Sequence, residues 1–146
     1  MDEKEILKFW KENNIFEKTL AKNSPQGEFV FYDGPPFATG LPHYGSLLAS
    51  IAKDVFGRYK TMRGFHVRRR WGWDCHGLPI ENMIEKRLGL KSKKDIEAMG
   101  VEKFNETCRS AVLETADGWK EYIERVGRWV EFDNAYMTMD NSFMES

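Results

Sequence analysis

The sequence predicts an α/β fold built on a parallel sheet. Three observations carry this. A short apolar run, residues 29–33 (FVFYD), leads into a loop dense in glycine and proline, residues 34–42 (GPPFATGLP). Next, Leu47, Leu48, Ile51, Val55, Tyr59 and Met62 step by three and four, the spacing of one helix face. A second strand-like run, residues 65–74 (FHVRRRWGWD), follows. Strand, loop, helix, strand is a βαβ unit, and such a crossover joins parallel strands.

The other elements follow in order. Ile6, Phe9, Trp10 and Phe16 lie near helical spacing, so residues 2–20 read as one helix with an aromatic face. Residues 21–28 (AKNSPQGE) are rich in breakers and form a loop. The helix that starts near Tyr44 should pack its apolar face inward and stop at Gly64. Residues 79–88 form a helix, with Pro79 suited to its first turn and Gly89 to its end. Ser92 caps a short helix through Met99. Phe104, Cys108, Val112, Trp119, Tyr122, Ile123 and Val126 carry helical spacing over residues 101–126, although Gly118 costs about 1 kcal/mol there. A strand-like AYMTM and a helix-like DNSFMES close the chain. Two or three strands leave a sheet edge bare, so a fragment or a covering partner is expected.

Composition narrows the function. With 41% hydrophobic residues and a net charge of −1, the chain should be globular, with no global field for nucleic acid. Its two cysteines make no disulfide framework and suit a reducing cytoplasm. No run of 18 apolar residues offers a membrane span, and the charged N-terminus lacks the apolar core of a signal peptide.

Two clusters carry candidate chemistry, and both follow strands. Ligands of open α/β sheets bind outside the carboxyl ends of the strands. The first cluster ends in His43-Tyr44-Gly45-Ser46, at a helix start whose free N–H groups and dipole suit phosphate. Gly45 would admit phosphate close to the backbone, while His43 and Ser46 would donate to it. The alternative role for His43 is a helix cap or loop filler. No Walker A or G-x-G pattern occurs. The second cluster, residues 72–81 (GWDCHGLPIE), places Asp74 beside Trp73 between Gly72 and Gly77, where its carboxylate suits an ammonium group. The alternative is that Asp74 binds its own turn. Cys75 and His76 lack the spaced partners of a zinc site, so no metal site is expected. Arg68, Arg69 and Arg70 read as a solvated strand end rather than an RNA contact.

Together these stretches resemble the start of the isoleucyl branch of the class I aminoacyl-tRNA synthetases. FYDGPPFATGLPHYGSLL is similar to that family's active-site loop with its HIGH signature, and GWDCHGLPIE is more discriminating, since leucyl enzymes typically read W-D-A-F-G-L-P. GRWVEFDNAYMTMD is also similar. The resemblance implies the N-terminal half of a HUP-type Rossmann-like parallel sheet with flanking helices. Residues 1–28 would be an N-terminal helical extension and residues 29–146 the first half of the catalytic domain. It implies that Gly34, Pro35, Pro36 and Phe37 line the aminoacyl-adenylate site, with Trp73 and the prolines walling the isoleucine side chain. His43, Gly45 and Ser46 would meet ATP, with His43 and Ser46 catalytic, and Asp74 would take the ammonium group. ATP with Mg2+, isoleucine and tRNA(Ile) are the implied cofactors and partners, together with a separate chain or C-terminal part that completes the fold.

Two departures from the family pattern stand out. Ser46 replaces the signature's second histidine, a loss worth up to about 3 kcal/mol if that group serves the transition state fully. The KMSKS loop, the editing domain and the anticodon-binding region would lie beyond residue 146. The isolated chain is therefore expected to be weak or inactive. The rival readings are a non-catalytic half-domain that binds ATP or an aminoacyl-adenylate, and a free-standing nucleotidylyltransferase.

Overall fold

In a computed structural model, which describes residues 2–146, the regular sheet is a parallel pair. β1 (Arg70–Trp73) lies beside β2 (Glu131–Met137), with Arg70 opposite Glu131 and Trp73 opposite Met137. On the other side of β1's line runs an extended segment, residues 28–38. Its Phe29 N–H donates to His66 O at 2.8 Å and its Ala38 N–H to Asp74 O at 3.2 Å. Isolated parallel bridges, Glu28 with His66 and Phe37 with Asp74, mark its two ends.

The strand expected over residues 29–33 is therefore present as extended chain but not as a ladder. Among the described residues, the N–H groups of Val30, Phe31, Tyr32 and Asp33 make no hydrogen bond. Pro35 and Pro36 have no N–H to continue a ladder. The carbonyls nearest them are taken by side chains: the Tyr136 hydroxyl donates to Asp33 O at 3.1 Å and Lys53 Nζ to Gly34 O at 2.7 Å. Side chains still alternate, with Phe31 and Asp33 half-buried and Val30 and Tyr32 70% and 93% exposed.

The expected N-terminal helix is two, α1 (Glu3–Glu12) and α2 (Ile15–Ala21). Asn14 at φ 49° breaks it, a left-handed conformation that asparagine tolerates. Both helices pack onto the rest of the chain. Trp10 and Phe16 sit 5.1 and 6.4 Å from Trp129, and Arg69 donates to Thr19 Oγ1 at 2.8 Å.

Helix α3 (Tyr44–Met62) corrects the expectation most sharply. Its buried residues are the small ones, Ser50, Gly57 and Thr61. A Cβ on Gly57 would lie 3.0 Å from Arg69 Cδ, so this face approaches β1's line too closely for large side chains. The apolar series Leu48, Ile51, Val55, Tyr59 and Met62 points out instead, each more than half exposed.

The main core is centred on the tryptophans of β1. Trp71, Trp73, Val112, Ile80, Trp119 and Ile123 form its buried cluster, with Trp71 and Trp73 edge-on at 5.4 Å. α4 (Leu78–Leu88) starts with Pro79 in its first turn and ends at Gly89, φ 68°, as expected. Ser92 likewise caps α5 (Lys93–Met99), through Asp95. A second cluster joins Ile84 of α4 to Phe104 and Ala111. The helix expected over residues 101–126 is two, α6 (Val101–Ala111) and α7 (Ala116–Arg125), separated by a turn where Leu113 has φ 22°. Gly118 does not break α7: Leu41 Cδ2 lies 2.9 Å from where its Cβ would stand. A short α8 (Asn141–Met144) stacks Phe143 on Tyr136 at 5.5 Å. No described helix is long and apolar enough to cross a membrane.

Of the three arginines expected at a solvated strand end, Arg69 is buried while the Arg68 side chain stays 59% exposed. Arg69 is buried over the Phe16 ring at 5.0 Å, and burial pushes its guanidinium down to about 10. Arg70 donates to Asn134 O at 2.7 Å, and Arg68 pairs with Glu131 at 3.6 Å. Each is engaged within the fold.

Both cysteines are free thiols. Burial pushes each thiol up, with Glu81 adding to the effect at Cys108. The raised values keep the reactive thiolate scarce at neutral pH. Iodoacetamide at pH 8 should therefore label the folded chain slowly, Cys108 ahead of the buried Cys75, and label both quickly in urea. Mass spectrometry of timed samples checks this, and folded Cys75 reacting at its unfolded rate would refute it.

Candidate functional site

The site begins where the extended segment rejoins β1's line. Asp74 N–H donates to Pro36 O at 2.9 Å and accepts through its own carbonyl from Ala38. These two bonds hold residues 36–38 of the glycine–proline loop directly beside Asp74. The Asp74 side chain is only half-buried, and its Oδ1 takes one weak bond from His76 N–H at 3.4 Å. Most of its acceptor capacity stays available to a cation. Gly77, at φ 80° and ψ −168°, lets the chain turn from this loop into α4 in a conformation strained for any other residue.

His43 is the N-cap of α3. Its Nδ1 accepts from Gly45 N–H at 3.1 Å, and its own N–H donates to Ser46 Oγ at 3.3 Å. The cap reading of this histidine is thus realised, with consequences for the chemistry. Accepting at Nδ1 places the proton of a neutral ring on Nε2, which leaves that N–H free to donate outward. Gly45 serves the histidine: a Cβ there would meet His43 Cε1 at 2.9 Å. In this structure its N–H is given to the imidazole. Ser46 completes the reciprocal cap.

Trp73 does not line the open surface. At 2% exposure it packs on Trp71, Trp119 and Phe132. Odd and even strand residues face opposite sides, so the backbone that presents Asp74 turns Trp73 into the core. Phe37, half exposed, remains as an apolar neighbour of Asp74.

The loop's anchors escaped sequence reading. Asp33, 11% exposed at its side chain, pairs with Arg128 and with Lys53 of α3. Lys53 also holds Gly34 O, and Tyr136 holds Asp33 O. Residues from α3, from the stretch before β2 and from β2 thus converge on the two residues that precede Pro35. The available signal was a charge closing the apolar run FVFYD, which needs a partner if buried. Further along, Trp119 Nε1 donates to Gly40 O at 2.7 Å. With Leu41 seated over Gly118, α7 ties the loop down just before His43. Gly72 admits the Tyr136 ring, which any Cβ at this position would strike.

Two clefts lie near this framework. One of about 570 Å3 runs between residues 28–33 and the C-terminal stretch, past Arg70 and Tyr136. The other, about 620 Å3, is bordered by His76, Gly77, Glu81 and both cysteines. Neither is lined by Asp74 or His43; His43 is exposed and Asp74 half-buried. Among the described residues, no group of three or more histidines, cysteines or carboxylates could hold a metal ion.

Comparison with known proteins matches this arrangement to one family. The family model described as tRNA synthetases class I (I, L, M and V) matches residues 5–146. The chain belongs to the class I tRNA synthetases. Its relatives in that family include the isoleucine–tRNA ligases of Treponema denticola, 56% identical, and Anaplasma marginale, 58% identical, each over 144 residues. That of Rickettsia typhi is 57% identical. The alignments cover 99% of this chain but 13% of each relative, so the chain spans about an eighth of their length. A class I synthetase structure, the LeuRS of Agrobacterium radiobacter K84 agnB2 in a ternary complex with tRNA and LeuAMS, superposes with a TM-score of 0.60. It is 21% identical, and the match covers 97% of this chain and 16% of that one, which shows a shared fold.

Proposed function

We propose that the chain supplies the amino-acid and nucleotide contacts of an isoleucine–tRNA ligase. The observation that carries this reading is the pairing of Asp74 with residues 36–38, in a chain whose relatives are isoleucine–tRNA ligases. The open carboxylate of Asp74 would hold the ammonium group of isoleucine. Gly34, Pro35, Pro36 and Phe37 would border the aminoacyl-adenylate, with Phe37 against the side chain. His43 would donate from Nε2 to ATP phosphate, and Ser46 would hold that imidazole through the cap. Gly45 would act by making room for the ring.

In the whole protein the isoleucine carboxylate would attack the α-phosphorus of ATP in line. Isoleucyl-adenylate would form, pyrophosphate would leave, and the aminoacyl group would pass to tRNA(Ile). Such a step needs positioned donors rather than a nucleophile–base pair. Mg2+ would screen the phosphate charge when bound.

Neither Asp74 nor His43 lines either of the two clefts, so the isolated chain should activate isoleucine weakly. The test is isoleucine-dependent ATP–pyrophosphate exchange. Asp74→Ala should cut exchange by about 100-fold, the worth of a charge-assisted contact near 3 kcal/mol. Equal exchange in Asp74→Ala would overturn its role. No exchange, with ATP binding lost in His43→Ala, would leave a nucleotide-binding half-domain as the better reading.

A further inference from the structure

Helices α1 and α2 open the chain, yet they grip the turn that leads into β2. Gly127 in that turn has φ 69°, and a Cβ there would stand 3.3 Å from both Leu7 Cδ2 and Trp10 Cζ3. Glycine thus lets α1 sit directly on the backbone of the turn. Two residues on, the Trp129 indole is enclosed. Trp10 meets it edge-on at 5.1 Å, Phe16 of α2 lies 6.4 Å away, and the Arg58 guanidinium covers its face at 3.6 Å. That guanidinium also stands 5.1 Å from the Trp10 ring and donates to Gly127 O. Its partner Asp54 accepts from Trp129 N–H at 3.0 Å. Residues 127 and 129 are therefore held between α3 and the N-terminal helices.

Arg128 stands between those two residues. Its side chain, 6% exposed, pairs with Asp33, which directly precedes the glycine–proline loop. A second route runs through Arg69. This guanidinium lies over the Phe16 ring at 5.0 Å, donates to Thr19 Oγ1 of α2 at 2.8 Å, and borders the same small cavity as Asp33 and Lys53. We propose that α1 and α2 are positioning elements of the site, with Trp10 as their principal contact. By seating on Gly127 and Trp129 they fix Arg128. Arg128 in turn fixes Asp33, and Asp33 sets residues 34–37 beside Asp74. An inert extension would need only an apolar landing, whereas this one lands on the turn that carries the loop's anchor. Site groups are held in productive geometry by such supporting packing, and a shift of about 1 Å far from the chemistry can cost on the order of 100-fold.

The consequence for catalysis rests on the ligase reading, and the test separates the two. Amide exchange of the free chain is read at Ala38 and Asp74, whose N–H groups bond between the loop and β1's line, relative to the amides of α4. Trp10→Ala should speed the two loop amides about tenfold relative to α4, the worth of a lost aromatic pair. Leu7→Ala should act in the same direction, and Trp10→Phe should restore most of the protection. Loop amides that keep pace with α4 in Trp10→Ala and Leu7→Ala, or no rescue by Trp10→Phe, overturn the positioning. Isoleucine-dependent ATP–pyrophosphate exchange is measured on the same chains. The KM for isoleucine should rise about tenfold in Trp10→Ala while the KM for ATP holds, because the His43 end of the loop is tied separately, by Trp119 at Gly40 O. Faster loop amides in a parent chain that shows no pyrophosphate exchange support the positioning and overturn the ligase reading. Pyrophosphate exchange with an unchanged isoleucine KM in Trp10→Ala does the reverse.

Discussion

Replacing Asp33 with asparagine lowers the unfolding free energy by about 3 kcal/mol, the cost of stranding a buried charge whose partner is removed. Arg128 is 6% exposed and Lys53 24% exposed at the side chain, and both converge on this carboxylate. Asparagine keeps the shape but removes the charge. Arg128 then stays buried over the Trp71 ring at 5.2 Å with no anion. Lys53 suffers less, because it keeps Gly34 O at 2.7 Å and some water. The double variant Asp33→Asn with Arg128→Met should therefore be less destabilised than the sum of the single changes, since the stranded cation is gone. Urea unfolding measures all four chains, with the midpoint falling and the slope unchanged. A loss under 1 kcal/mol in Asp33→Asn would place these ions in solvent. The same substitution should free residues 34–37, which amide exchange can follow at Gly34 and Phe37.

Trp119→Ala should cost about 4 kcal/mol, within the range for removing a large buried aromatic side chain. Trp119 sits against Trp71 and Trp73 with ring centroids 5.7 and 6.0 Å away, so its loss opens a cavity at the centre of the main cluster. It also removes the indole donor to Gly40 O at 2.7 Å. Trp119→Phe separates the two effects. The ring largely remains, so that variant should lose about 1 kcal/mol for the bond together with some packing, and faster amide exchange should appear near His43. If Trp119→Phe left that exchange unchanged, the indole would be a core residue only. Thermal or urea unfolding of both variants gives the stabilities.

The helices were legible wherever their signals were local. Pro79 and Gly89 bound α4, and Ser92 opens α5, because caps and fixed φ angles act within one turn. Helical spacing revealed that α3 exists but misassigned its buried side. Periodicity reports that large apolar residues share a face, not that the face is covered. Ser50, Gly57 and Thr61 won the interior because only small residues allow the close approach to Arg69. The turn between α6 and α7 was missed for a related reason: apolar spacing runs through it, and the break lies in backbone angles at Leu113.

The site divides along the same line. Residue order and motif chemistry alone determined the family resemblance, the loop before α3 and the candidate roles of His43 and Asp74. These rest on residue types at fixed short separations, and a sequence states those directly. Only the tertiary structure decided that Trp73 belongs to the core, that Gly45 makes room for an imidazole, and that Asp33, Lys53, Arg128 and Trp119 hold the loop. Those contacts join residues far apart in the chain. Whether a charge or an indole there finds its partner depends on how helices and strands are stacked, which no local pattern encodes.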